Sequence, residues 1–434
     1  MAEGGGEVSG AVLLFAIFGG LLFLNVPIAV SLGVASVVMM ILRGAPLSVF
    51  PMIFSSAVAK FTLLAVPLFI MTGVIMEKAG ISKRLIRLAN CLVGHLPGGL
   101  AIVGVLTCMF FAAISGSGPA TVAALGVVLM PAMIENGYDP GMAAALMATA
   151  GGIGVIIPPS IPFVLYGVIA EQSVARLFIA GVVPGIIVGM SLMVASLWVA
   201  IRHNYRGVAR ASLRETWSAF IDAFWGLMAP VIILGGIYGG IFTPTEAAAV
   251  AVVWGLMVGI FVYKEITWNT LWETLIDAGS STAVCMLVAA SASAFTWVVT
   301  VEGITTRISE SLLSFTSSPV VYLLIVNIIL LIAGCFIDAI SAFYVFTPIL
   351  LPVALRLGID PVAFGVIMTV NLAIGLVTPP VGMNLYVACG ISKVSLKRIS
   401  ASIVPFLIAS LVALVIVTYI PSVSLWLPNA VGVK

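Results

Sequence analysis

Two proline pairs, Pro158-Pro159 and Pro379-Pro380, stand 221 residues apart, each in the middle of a long apolar run (142–170 and 362–391). Proline removes a backbone donor and clashes with the preceding turn, so neither run forms one continuous helix. Both are predicted to be broken helices, and broken backbone at membrane depth survives only where protein buries it or it lines a watery cavity. The rest of the chain is suited to the bilayer. Of 434 residues, 62% are hydrophobic and only 8% charged, where soluble domains carry roughly 25%. That excludes a cytosolic enzyme, a disordered chain and a nucleic-acid binder. A formal net charge of +2 is also too small to argue for a polyanionic partner. The expected class is an all-α polytopic membrane protein whose solvent is the lipid bilayer.

The proline pairs belong to a wider repeat. At the same offset Pro131 meets Pro352, Gly137 meets Gly358, and Asp139-Pro140 meets Asp360-Pro361. Met147 then meets Met368, and Ile153-Gly154 meets Ile374-Gly375, which makes nine identities with no gap over residues 131–159. The shared residues are largely Gly, Pro and Asp rather than the abundant Leu and Val, so chance likeness between apolar segments is a poor explanation. Upstream of each broken helix lies an uninterrupted apolar stretch of about 36 residues, 98–134 and 320–355. A hydrocarbon core about 30 Å thick takes about 20 helical residues. Each stretch carries small or kinking residues in its middle, Ser115-Gly116-Ser117-Gly118-Pro119 and Asp338-Ala339-Ile340-Ser341. Each is read as a re-entrant helical hairpin.

Basic residues mark cytoplasmic loops. Lys78, Lys83, Arg84 and Arg87 form one cluster, Arg202, Arg206, Arg210 and Arg214 a second, and Lys393, Lys397 and Arg398 a third. The counterpart of the first cluster in the second half, Glu302, Arg307 and Glu310, is net acidic. With each hairpin counted as no net crossing and each broken helix as one, each half crosses about five times, and an odd number inverts the second half. The expected division is 1–205 for the first inverted repeat, 206–225 for a cytoplasmic linker and 226–434 for the second repeat. All three basic clusters then lie inside. The start, Met1 to Glu7, has two acids and no base, so the first apolar run is read as a retained span rather than a cleaved signal. Arg43, Lys60 and Arg176 are read as interfacial snorkelling residues, and Glu246 as a helix-start acid.

Inverted repeats with discontinuous helices are the pattern of secondary transporters. A break frees carbonyls that suit Na+ and N–H groups that suit an anion. Ser115 and Ser117 offer hydroxyls beside the first break, and Gly154, Ile157 and Pro159 offer carbonyls. The offset supplies Gly375, Thr378 and Pro380 as partners. Taken alone, the Gly-Ser-Gly-Pro run also fits a tight turn, but its pairing with a proline break in both halves favours an ion site. Asp338 is the one charge between Glu310 and Arg356. A carboxylate deep in a membrane costs several kcal/mol unless paired or ion-bound. A cation beside Ser341 and Thr378 is the expected partner; the competing reading is a protonated acid hydrogen-bonded into the hairpin. Thr121, Ser160 and Asn384 are the candidate cargo contacts, with helix packing by small polar residues as the other reading.

Several classes fall away. There is no G-x-x-x-x-G-K-[ST] for ATP hydrolysis. The two histidines, His95 and His203, are far apart, so no His-based metal site is expected. Neither is placed to serve Ser115 or Ser117 as the base of an intramembrane hydrolase. The five cysteines contain no C-x-x-C pair and form no disulfide framework.

The motifs together resemble one family. Leu64-Ala65-Val66-Pro67-Leu68-Phe69, His95-Leu96-Pro97-Gly98-Gly99, Ser115-Gly116-Ser117-Gly118-Pro119-Ala120-Thr121, Ile157-Pro158-Pro159-Ser160, Pro184-Gly185, Thr243-Pro244-Thr245-Glu246-Ala247 and Thr378-Pro379-Pro380-Val381-Gly382 are similar, in this order, to segments of the large membrane subunit of TRAP (tripartite ATP-independent periplasmic) transporters. The resemblance spans essentially the whole chain. It implies an elevator-type importer of carboxylates such as C4-dicarboxylates, keto acids, sugar acids or sialic acids, driven by Na+ (two or more ions), in a bacterial inner membrane. It also implies two partners, a small four-helix membrane subunit, expected here as a separate chain, and a periplasmic solute-binding protein. The family's first Na+ site transfers onto Ser115, Ser117, Gly154, Ile157 and Pro159, and its second onto Asp338, Gly375, Thr378 and Pro380. A stand-alone Na+/anion symporter of a related inverted-repeat superfamily, needing no receptor, is the alternative.

Overall fold

A computed structural model of the chain describes residues 4–432; Glu3 of the acidic start lies outside them. Among the described residues every regular element is helical. Eight helices are long and apolar enough to cross a bilayer, or nine if Leu396–Ser402 and Val404–Tyr419, bent by 56°, make one span. Gly99–Ser115, with 17 residues, and Pro361–Gly375, with 15, are among the shorter apolar helices.

Both expected hairpins are present as helix pairs, three of whose four arms are among the helices long enough to cross a bilayer. The first consists of Gly99–Ser115 and Gly118–Glu135, the second of Pro319–Phe336 and Ala339–Arg356. Both breaks are present too. Pro140–Gly151 passes through a 3-10 turn at Gly152–Val155 to Ile161–Ile169, and Pro361–Gly375 gives way to Met383–Ser392. Asp139 and Asp360, matched in the repeat, cap the two broken helices in the same way. The Asp139 carboxylate accepts from the Met142 N–H, and that of Asp360 from Val362 and Ala363. Each cap satisfies donors that a helix start leaves without partners.

The repeats exchange their parts. Ile161–Ile169, from the first break, packs on the second hairpin's Ala339–Arg356, while Met383–Ser392, from the second break, packs on the first hairpin's Gly118–Glu135. Two ion pairs repeat the exchange. Arg398 pairs with Asp139, and Arg176 reaches Asp360 at 3.6 Å. Arg176 is thus more than an interfacial snorkeller: it ties its helix to the start of the other repeat's broken helix. Partial burial pushes the Asp139 carboxyl up, but Arg398 and the Met142 N–H outweigh it and hold the group below its ordinary value. Hairpins, breaks and the helices Val174–Arg202 and Val404–Tyr419 form one packed body.

The scaffold beside this body is Ile28–Leu42, Phe61–Lys78, Leu213–Tyr238, Pro244–Met257 and Trp268–Val301. The apolar run 47–76 divides at Ala59-Lys60 into a short helix, Val49–Val58, and the Phe61–Lys78 span. Leu213–Tyr238 begins inside the stretch read as linker, because Ser212 and Glu215 form a reciprocal capping box that fixes the helix start there. Thr243 and Glu246 form a second such box, which gives the helix-start acid its partner. Arg43 is also paired, with Glu302 at 2.7 Å. This pair joins the ends of two scaffold helices.

Candidate functional site

A cavity of about 540 Å³ lies between the two hairpin tips and the scaffold. The first tip presents Ser115, Gly116, Ser117 and Pro119 to it, and the second presents Asp338 and Ala339. The opposite wall comes from Gly73 and Glu77 of the Phe61–Lys78 span and from Ser281 and Cys285 of Trp268–Val301. Among the described residues no Lys, Arg or His lines it.

Five helices begin at this cavity: Ile28–Leu42, Gly118–Glu135, Ile161–Ile169, Ala339–Arg356 and Met383–Ser392, with Ile28, Pro119, Ile161, Ala339 and Met383 in its wall. A helix start carries N–H groups without intrahelical partners and the positive end of the dipole. Asp338 caps one of the five. Its Oδ2 accepts from the N–H groups of Ile340 (2.9 Å) and Ser341 (3.2 Å), and its Oδ1 accepts from the Ser341 hydroxyl at 2.5 Å. The other four, after Pro27, Ser117, Ser160 and Gly382, have no side-chain cap. Elsewhere Asp139, Ser173, Ser212, Thr243, Thr267 and Asp360 cap their helices, while the starts after Gly80, Gly98, Gly303 and Ser318 also have no side-chain cap. These starts bring the positive ends of their dipoles to one cavity, while few of their N–H groups are open: Pro119 and Pro162 have none, that of Ile161 donates to the Gly116 carbonyl and that of Asn384 to the Leu376 carbonyl.

Of the first expected ion set, Ser115, Ser117, Gly154 and Pro159 lie close together, while the Ile157 side chain packs against Gly185. The Ser115 hydroxyl lies 2.8 Å from Thr121 Oγ1, which donates to the Ser117 carbonyl, also at 2.8 Å. A Cβ added to Gly154 would sit 2.5 Å from Thr121 Oγ1 and 2.7 Å from the Ser117 carbonyl oxygen, and one added to Gly116 would sit 3.0 Å from the Pro159 carbonyl oxygen. Gly116 itself has φ +60°, the left-handed region open to glycine. The hairpin tip therefore rests directly on the break, and only glycine permits that approach. The second set is joined through backbone. Gly334 of the second hairpin touches Gly375, and the Gly382 N–H donates to the Cys335 carbonyl at 3.0 Å. The Thr378 hydroxyl donates back to Ile374, and Pro380 is exposed. The hydrogen bonds of Asp338 stay within its own helix start.

The three candidate cargo contacts are all fully buried, and none lines the cavity. Thr121 belongs to the Ser115 cluster. Ser160 donates to the Val155 carbonyl within its own break. Asn384, from the second repeat, donates to the Ala148 carbonyl of the first at 3.1 Å, beside Gly118, and its Oδ1 has no partner among the described residues. All three hold the breaks in place.

The family whose description is Tripartite ATP-independent periplasmic transporter, DctM component, matches residues 15–423. The chain belongs to this family. The isethionate TRAP transporter permease protein DctMQ of Oleidesulfovibrio alaskensis is 44% identical over 95% of this chain, and the chain spans 66% of that longer protein. The C4-dicarboxylate TRAP transporter large permease protein DctM of Pseudomonas aeruginosa is 46% identical, over 86% of this chain and 88% of its own length. In structure the chain is similar to the Alcanivorax borkumensis YdaH transporter, with a TM-score of 0.60 at 16% identity, covering 88% of this chain and 87% of that one. That likeness is one of fold. As a DctM-family chain it is a multi-pass membrane subunit of a transporter.

Two features of the site escape a reading by motif. Glu77 follows sixteen residues of apolar and small side chains, Phe61 to Met76, and reads as the end of a span, yet it lines the cavity. Ser173-Val174-Ala175-Arg176 and Ser395-Leu396-Lys397-Arg398 share a pattern of Ser and Arg, but one residue off the 221 register, which hides the matched ion pairs.

Proposed function

We propose that this chain is the cargo-carrying subunit of a Na+-coupled importer of small organic anions. In this reading it sits in a bacterial inner membrane with a separate small membrane subunit and receives cargo from a periplasmic solute-binding protein. The observation that carries the reading is the cavity between the hairpin tips, to which four helix starts without side-chain caps bring the positive ends of their dipoles. Such ends bind anionic oxygens without a basic side chain.

Na+ is assigned to two oxygen-lined places. The first uses the Ser115 hydroxyl and carbonyls of Ser117, Gly154, Ile157 and Pro159. The second uses Asp338 with the backbone near Gly375, Thr378 and Pro380. Hard cations prefer oxygen ligands of this kind. An ionised carboxylate has about four acceptor positions, and the Asp338 carboxylate fills three with hydrogen bonds, which leaves one for an ion. The packing of hairpins and breaks as one body beside a separate scaffold supports elevator motion, with the body carrying cargo past the scaffold wall. The names of relatives, one for isethionate and one for C4-dicarboxylate, support a small organic anion as the cargo.

The test is uptake into proteoliposomes holding this chain and its small subunit, under an inward Na+ gradient, with isethionate, succinate and sugar acids as probes. Uptake is expected only when the cognate receptor is added. Equal uptake with and without receptor would overturn the reading in favour of a stand-alone symporter.

A further inference from the structure

We propose that the Thr296 hydroxyl latches the second hairpin to the scaffold in this conformation, through a carbonyl that Pro348 leaves free. This rests on the elevator reading, in which the body of hairpins and breaks moves past the scaffold, and it names a contact that such a move must break. Pro348 and Pro352 stand inside the Ala339–Arg356 helix. In a continuous helix the Tyr344 carbonyl accepts from the N–H four residues on, but that residue is Pro348 and has none. The carbonyl takes its partner from the scaffold instead: the Thr296 hydroxyl, on Trp268–Val301, donates to it at 3.1 Å. Tyr344 is only 5% exposed, so water is a poor substitute, and a buried carbonyl left without a partner is costly.

Thr296 departs from the habit of its helix. Thr274, Ser293 and Thr300 all donate back to carbonyls one turn earlier in the same helix, a common use of a helical hydroxyl. Thr296 turns outward to the hairpin. Among the described residues it makes the single side-chain hydrogen bond between the scaffold helices and the body. The body's two ion pairs, Arg176 with Asp360 and Arg398 with Asp139, stay within it. The first hairpin meets the scaffold as bare backbone: an added Cβ on Gly73 would sit 3.3 Å from the Ser115 Cα. One hairpin thus rests on glycine and the other is held by a hydroxyl. The hold belongs to this conformation, because a shift of the body by one helical turn, about 5 Å, takes the carbonyl out of hydrogen-bond range of Thr296.

The experiment uses the purified chain with its small subunit in nanodiscs. Nitroxide labels are carried by Gly279→Cys on the scaffold and Leu355→Cys on the second hairpin, both exposed positions, with the part-exposed Cys91 and Cys389 changed to serine. Double electron–electron resonance, with and without Na+, gives the populations of the distances between body and scaffold. Two distances are expected, one of them that of this conformation. Thr296→Val removes the hydroxyl at nearly constant volume and is expected to lower the population at that distance, relative to the other, by about tenfold. Thr296→Ser keeps the donor and is expected to stay within about twofold of wild type. Pro348→Ala returns an N–H to the helix, so Thr296→Val added to it is expected to shift the ratio by less than about threefold. A ratio that Thr296→Val leaves unchanged, a serine variant that behaves as the valine one, or an equal tenfold shift in the Pro348→Ala background would overturn the latch while leaving elevator motion intact. A single distance in every variant, with and without Na+, would overturn the elevator reading and the latch with it.

Discussion

Asp338→Asn is expected to raise the Na+ concentration that gives half-maximal uptake by about 100-fold, corresponding to about 3 kcal/mol of lost ion binding. The substitution isolates charge from structure. Asp338 begins the Ala339–Arg356 helix, and its Oδ2 accepts from two backbone N–H groups. Asparagine caps a helix start about as well as aspartate, and its single carbonyl oxygen can keep those two bonds. The hairpin tip is therefore expected to fold, with expression and melting temperature close to wild type. The amide nitrogen replaces the oxygen that accepts from the Ser341 hydroxyl, which can turn to accept instead, and it removes the position open to an ion. A Na+ titration of uptake, with thermal unfolding measured on the same preparation, separates the two effects. Unchanged half-saturation by Na+ in a well-folded Asp338→Asn protein would remove Asp338 from the ion site.

Gly375→Ala is expected to reduce uptake by about 30-fold, the equivalent of about 2 kcal/mol of overpacking. A Cβ at Gly375 would lie 2.6 Å from the Gly334 Cα and 2.8 Å from its carbonyl carbon. Both are backbone atoms of the second hairpin, so no flexible side chain can move aside, and the hairpin must lift from the break that it helps to shape. The matched position in the first repeat is under the same constraint, since Gly154 faces the Ser117 carbonyl and Thr121. This explains physically why glycine occurs at both. Gly279→Ala is the control: it is also helical, but no atom lies within 4 Å of its added Cβ, and it is expected to transport at the wild-type rate. Equal uptake by the two variants would show that the hairpin-to-break contact does not matter to transport.

The architecture was legible because membrane-embedded chains place few residue types at breaks. Pro158-Pro159 and Pro379-Pro380 marked both broken helices, and the small-residue runs at 115–119 and at Asp338 marked both hairpin tips. Ser115, Ser117 and Gly154 were picked out for the same reason, as small or oxygen-bearing residues beside a break, and the fold brings them together; their role as an ion site is the proposal made above. The cargo contacts were not. Thr121, Ser160 and Asn384 lie next to the breaks in sequence, but sequence distance does not say whether a hydroxyl faces a cavity or a nearby carbonyl, and all three are turned inward. Arg176 read as an interfacial side chain because its partner, Asp360, is supplied by the other repeat. Contacts between repeats depend on how the halves interlock, which periodicity and charge do not encode.

The central claim is that this chain uses a Na+ gradient to move an organic anion handed over by a receptor. The most direct test is initial uptake of labelled cargo by proteoliposomes containing the chain, its small subunit and the loaded receptor, with external Na+ varied and internal Na+ held near zero. The account predicts uptake that rises steeply with external Na+, vanishes when K+ replaces it, and stops when the gradient is collapsed. Uptake that is the same in K+ as in Na+ would contradict it.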